Sequence, residues 1–157
     1  LERNTIDALE WVGPSLDLRM GFHKIAPYYY TGWQEPATEL QFMVNQKAYD
    51  SLPADLQKIL TIAMKTAAYD MYSQSTHENG VNLKALQTEY PDVKIRTFPQ
   101  PVMNAIREAN DELLAEFAAK DEETDKILKS IKRYQEQVRA WTKFADQAYL
   151  ESFESNE

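Results

Sequence analysis

Two glutamates beside tryptophans are the residues of this chain with the most chemistry to offer. Glu10 precedes Trp11, and Glu35 follows Trp33 with only Gln34 between them. An indole lowers the local dielectric, while a carboxylate needs water, a cation or a donor. Two such pairs joined by the run GPSLDLRMGFHKIAPYYYTG suggest the wall of a binding site. One use is hydrolytic, with one carboxylate as acid and the other as base across a scissile bond. Nothing in the sequence sets their separation, and perturbed carboxylates also occur in structural networks. The better use is as hard oxygen ligands of a cation. Glutamates alone would repel a small carboxylate ligand. A cation between them reverses that sign, and indole walls that exclude water strengthen the attraction.

Other chemistry is thin. His23 and His77 stand alone, and His77 beside Glu78 reads as a surface pair near a possible helix break. No His-Glu-x-x-His, phosphate-binding glycine loop or Gly-x-Ser-x-Gly elbow is present. Tyr28, Tyr29 and Tyr30 could stack a ligand, but consecutive residues point different ways, so at least one is expected in the core. The chain has no cysteine, which removes disulfides, thiolate zinc sites and thiol nucleophiles together. A net charge of −8 over 157 residues argues against nucleic acid and against an anionic membrane surface. No apolar run approaches the roughly 18 residues of a membrane span. The opening LERNTIDALEW carries neither a Met nor a basic leader and reads like the interior of a longer protein.

The positioning elements follow from periodicity. Residues 5–9 read as a helical turn or a strand entry into an extended Glu10-Trp11-Val12, which Gly13-Pro14 ends. Residues 18–30 space their apolar side chains roughly as a helix, limited by Pro27. ELQFMVN, residues 39–45, alternates and predicts a strand. Leu52-Pro53-Ala54-Asp55 starts a helix whose stripe is Leu56, Ile59, Leu60, Ala63, Ala67 and Met71. Asn79-Gly80 either breaks this helix or lies within a longer one that reaches Tyr90. Residues 93–98 predict a short strand, and 102–120 a helix with Ile106, Ala109, Leu113 and Phe117 on one face. Asp121, Glu122, Glu123 and Asp125 lack the order of a calcium loop and read as a helix N-terminus. The last helix, to about Phe153, repeats Ile127, Ile131, Tyr134, Val138, Trp141, Ala145 and Ala148 in steps of four and three. That coiled-coil spacing packs either against its own domain or against a partner.

With these residues in view, the run IDALEWVGPSLDLRMGFHKIAPYYYTGWQEP resembles the solute-binding subunits of tripartite ATP-independent periplasmic (TRAP) transporters, in the DctP-like branch that binds 2-oxo or 2-hydroxy monocarboxylates. The likeness continues through Phe42-Met43-Val44-Asn45, the Leu52-Pro53 helix start and the helix around Trp141. It implies an α/β fold: the C-terminal portion of a two-lobed periplasmic binding protein, helix-rich with a few strands and a long C-terminal helix. Residues 1–50 would line the cleft and add a strand, 53–120 would hold helices with strand 93–98, and 121–153 the long helix. The resemblance makes Glu10, Trp11 and Glu35 the ligands of a sodium or calcium ion, Trp11 through its main chain. It makes Trp11 and Trp33 walls for a pyruvate- or lactate-like ligand. An arginine and a glutamine ligand would come from a preceding portion, and Arg19 and Arg96 do not match that arginine. Two positions depart from the pattern: Gln34 replaces a frequent aromatic and Ala37 a usual glycine. Implied partners are the membrane permease and a second copy swapping helix 121–153, and the implied place is the periplasm. No enzymatic role is implied. The competing expectation is a helical dimerisation module with no ligand.

Overall fold

The computed structural model describes residues 1–3, 5–32 and 40–154. Contacts divide the chain into two units, residues 1–98 and 99–157. The predicted helix-rich architecture with few strands is what the chain adopts.

Gly13-Pro14 opens a helix as well as ending the segment before it. Helix α1 is Pro14–Met20, with Pro14 in its first turn, where a missing N–H costs nothing. It stops at Gly21, whose φ of 80° is the left-handed conformation that glycine adopts without penalty. A single helical segment over 18–30 is therefore corrected. A 3-10 turn, Phe22–Lys24, follows Gly21, and after Pro27 the chain extends into strand β1, Tyr28–Tyr30. The helical spacing there loses to the glycine stop, the proline and a distant ladder partner.

That partner is strand β2, Lys94–Arg96, which pairs in parallel with Tyr29 opposite Ile95. The ladder is extended by Lys94 N–H to the Pro27 carbonyl and Thr31 N–H to the Arg96 carbonyl, both 2.8 Å. Tyr29 and Ile95 turn to the half-buried face, while their neighbours are exposed. This meets the expectation that one tyrosine of the triplet packs inward.

The strand predicted over 39–45 is not formed across the described residues 40–45. Its alternation has no ladder partner there, and Leu40 and Met43 are 79% and 89% exposed. Asn45 instead caps a short helix, α2 (Gln46–Asp50), by accepting the Ala48 N–H at 3.1 Å. Residues 5–9, likewise, form neither helix nor strand.

Helix α3, Ala54–Thr88, runs 35 residues straight through Asn79-Gly80, about 50 Å by helical rise. The helix-break alternative is thereby settled, and His77 sits exposed in mid-helix. The last turn closes at Thr88, before Tyr90. Tyr49 of α2 ties to its amino-terminal part through Thr61 Oγ1, 3.1 Å away. Much of the predicted stripe is uncovered: Leu56, Ile59 and Met71 are 44–60% exposed.

The tight point of the first unit is Leu86, 1% exposed and fully buried. Leu86, Leu18, Phe22 and His23 line one cavity of about 20 Å³, to which Asp17 and Tyr29 also contribute. Both ring nitrogens of His23 are buried without a hydrogen-bond partner among the described residues, and the ring lies tilted against Tyr90, 4.4 Å between centroids. Burial, then the charge of Lys24, lowers its pKa from the ordinary 6.5. The unfolded chain therefore takes up a proton that the folded chain resists as pH falls below about 6.5, so stability drops there. We expect the melting temperature to fall between pH 8 and pH 5.5, and His23→Phe to flatten that slope. An unchanged slope in the variant would clear His23 of the effect.

In the second unit, α4 (Gln100–Lys120) packs on α5 (Glu122–Thr142). Of the predicted α4 face Ile106 is half-buried, while Leu113 and Phe117 stay 52% and 51% exposed. Asp121 caps α5, accepting Thr124 N–H at 2.8 Å and its hydroxyl at 2.6 Å. Those bonds hold the Asp121 carboxyl below its usual range. With Glu122, Glu123 and Asp125 in the first turn, the acidic run is a helix start, as its composition predicts. The final helix is not uniform: a π-helical stretch, Lys143–Gln147, separates α5 from α6 (Ala148–Glu154). Its wider turn takes Ala145 and Ala148 off the register that Ile127 to Trp141 keep. Among the described residues, no helix is long and apolar enough to cross a membrane.

Candidate functional site

Glu10 and Trp11 lie in the irregular segment that enters α1, and both are exposed, Trp11 at 50%. The Trp11 indole meets the Phe22 ring edge-on at 6.5 Å, so the 3-10 turn supports one side of it. No hydrogen bond or ion pair within the described residues engages the Glu10 carboxylate or the Trp11 carbonyl. Two hard oxygens on adjacent residues are thus free to ligate, which fits a cation of the sodium or calcium kind.

The second arm leaves the carboxyl end of β1 through Thr31-Gly32, the end at which open α/β sheets bind ligands. Trp33 and Glu35, the site residues predicted on this arm, lie outside the described residues, as do the two departures from the pattern, Gln34 and Ala37. Among the described residues no group of three or more acidic or histidine side chains converges to hold a metal.

The elements fastening the Glu10–Trp11 arm are visible. Asp17 Oδ1 faces the main-chain N–H groups of Val12 and Gly13, both at a long 3.4 Å. Its Oδ2 accepts the Tyr29 hydroxyl at 2.6 Å. Burial and then this carboxylate raise the Tyr29 pKa well above the ordinary 10, so Tyr29 stays a neutral donor. From α3, Asn79 Oδ1 accepts the Ser15 N–H at 3.0 Å. Arg19 of α1 reaches Glu78 at 3.7 Å, a surface pair of small worth. Sequence reasoning passed over Asp17 and Asn79. Their signals were an acidic residue in the first turn after Gly-Pro, and an asparagine where a helix could have broken but did not.

A second depression lies at the other end of the sheet. It is an open groove of about 420 Å³ between residues 23–27 and 89–93, with Lys24, Glu89 and Asp92 at its edges. Its charges are mixed in sign, and it opens at the amino ends of β1 and β2, away from the arm that leads to Trp33.

Comparison with known proteins gives this geometry a context. The family described as DctP, bacterial extracellular solute-binding protein family 7, matches residues 1–121. A monocarboxylate 2-oxoacid-binding periplasmic protein of Nostoc sp. is 34% identical over 157 residues, covering 99% of this chain and 42% of its own length. A TRAP periplasmic solute-binding protein from Pseudoalteromonas atlantica, solved with sodium and pyruvate, is 95% identical with a TM-score of 0.92. One from Colwellia psychrerythraea, solved with calcium and pyruvate, is 74% identical with a TM-score of 0.94. Each of these two matches covers 97% of this chain and 46% of the solved chain. A third, from Bordetella bronchiseptica, is 33% identical with a TM-score of 0.89 over 99% of this chain and 46% of its own, and is a dimer with calcium and picolinate in one site. The chain thus spans a little under half the length of these relatives. They are solute-binding transport proteins and not enzymes, and the family does not favour a helical module without ligand. Resemblance by motif and match over most of the chain therefore agree: this chain belongs to the DctP family of TRAP solute-binding proteins, family 7 of the bacterial extracellular solute-binding proteins.

Proposed function

We propose that this chain forms one wall of the ligand cleft of an extracytoplasmic, periplasmic solute-binding protein. The protein would capture a 2-oxo or 2-hydroxy monocarboxylate through a bound cation and hand it to a TRAP membrane permease. The observation that carries the reading is the Glu10–Trp11 pair, whose carboxylate and main-chain carbonyl lie beside a fastened turn with no partner among the described residues. Relatives solved with sodium or calcium and pyruvate support it.

In this proposal Glu10 and Glu35 supply carboxylate oxygens and Trp11 its main-chain carbonyl. Trp11 and Trp33 close off water. A bound cation supplies the positive charge that lets an anion settle among glutamates. Closure of a second lobe would then exclude solvent and strengthen every charged contact in the cleft. In this division of the chain, residues 1–50 line the cleft, 53–120 form the scaffold, and 121–153 provide the long helix.

The test is native mass spectrometry of the intact protein, purified without added ligand. We expect one sodium or calcium ion and one small carboxylate per chain, and pyruvate binding that is lost on chelation or sodium removal. A protein that binds pyruvate equally well when stripped of cations would refute the reading.

A second copy is the proposed partner of α5. Ile127, Ile131, Tyr134, Val138 and Trp141 stay 38–67% exposed along one heptad seam. The Bordetella bronchiseptica relative is a dimer, which supports a second copy as the partner; in this proposal the pair swaps residues 121–153.

A further inference from the structure

We propose that Asp17 and Asn79 are positioning residues that clamp the turn carrying the Glu10–Trp11 arm and so set cation affinity, a role that rests on the cation-binding reading of Glu10. Asp17 joins the turn after Trp11 to strand β1. One carboxylate oxygen faces the N–H groups of Val12 and Gly13, immediately after Trp11. The other takes the hydroxyl of Tyr29, in the strand that leads out to Trp33 and Glu35. A single side chain thereby ties the turn after Trp11 to strand β1. The 2.6 Å bond from Tyr29 is short and charge-assisted, while the two 3.4 Å amide contacts act as a loose cradle.

Asn79 holds the same turn from α3. It projects from the carboxyl-terminal third of α3, and its Oδ1 accepts the Ser15 N–H at 3.0 Å. The same oxygen would stand only 3.1 Å from a Cβ placed on Gly13. The φ of 162° at Gly13 is extended backbone open to any residue, so close approach, not conformation, is what calls for glycine here. The turn Gly13-Pro14-Ser15 is seated directly on the α3 asparagine. The arm beyond it, carrying Glu10 and the Trp11 carbonyl, inherits its position from a 35-residue helix. Ligand oxygens on an irregular segment need such a mount, because outer contacts that orient ligands typically govern metal affinity about 10- to 100-fold.

The test measures calcium affinity of the intact protein by chelator-buffered titration with saturating pyruvate, beside the melting temperature of the cation-free form. Asp17→Ala should weaken calcium binding about tenfold, and Asp17→Asn, which keeps an acceptor for the Val12 and Gly13 amides, should restore it to within about threefold. Gly13→Ala should weaken binding on its own yet cost nothing further once Asn79→Ala has removed the oxygen that its methyl meets; sites in direct contact are non-additive in this way. A purely structural role would lower the melting temperature and leave affinity of the folded fraction unchanged. If Asp17→Ala and Gly13→Ala both keep affinity within twofold while Glu10→Gln loses it, the clamp is refuted and the cation reading stands. If Glu10→Gln also binds normally, the cation reading fails and the clamp falls with it.

Discussion

We expect Glu10→Gln in the intact protein to weaken pyruvate binding about a hundredfold or more, and the loss to disappear as a separate effect once cations are removed. Glutamine keeps the volume of the side chain and one of its oxygens, so the change is one of charge. In an open arm exposed to water that charge would be screened. In a cleft closed over the ligand it would face a cation at low dielectric, where removing one partner of a charge contact costs about 2–5 kcal/mol, or roughly 30- to 5,000-fold. Glu35→Gln is expected to behave alike. Calorimetry of each variant, with and without chelator, decides the matter: a cation-mediated role makes the substitution and the chelator non-additive. Pyruvate affinity within twofold of the parent in either variant, or losses that simply add to that of the chelator, would remove that glutamate from the site.

The second large effect concerns assembly. Truncation before Asp121 is expected to convert the intact protein from dimer to monomer and to leave pyruvate affinity within about twofold. Five large apolar side chains from Ile127 to Trp141 are 38–67% exposed along one helix face. Complete burial of such a side chain is worth about 1.5–3 kcal/mol, so covering the remaining exposed part of five amounts to several kcal/mol. The ion pairs along this helix, such as Lys129 with Asp125 at 2.6 Å, stabilise it only by tenths of a kcal/mol each and do not compete with that term. Analytical ultracentrifugation reads the mass, and calorimetry the affinity. A truncated protein that remains dimeric would place the contact elsewhere. One that loses pyruvate binding would instead assign α5 to the body of its own binding fold.

Local rules carried a good part of this structure and missed the rest for definable reasons. Pro53 and Asp55 marked the start of α3, and Asp121 with its acidic followers marked the start of α5, because caps and dipole contacts act within one turn. Periodicity misled at 18–30, where Gly21 ended α1 and pairing with β2 drew Tyr28–Tyr30 into a strand. It misled again at 40–45, since alternation records a surface suited to a sheet and not the presence of a neighbour. The π-helical stretch at Lys143–Gln147 has no counterpart in the heptad pattern, which continues through it.

The site divides along the same line. By itself the sequence determined the family, through its motif, and it nominated Glu10 and Glu35 as hard ligands and Trp11 and Trp33 as water-excluding rings on residue type alone. Residue type and near-neighbour spacing are written in the chain, so such features are legible without coordinates. Only the tertiary structure decided what holds the first arm in place. Asp17 and Tyr29 are 12 positions apart, and Asn79 and Ser15 are 64. Those contacts exist because α1 lies on α3 and β1 pairs with β2, and long-range packing leaves no periodic trace for a sequence to show.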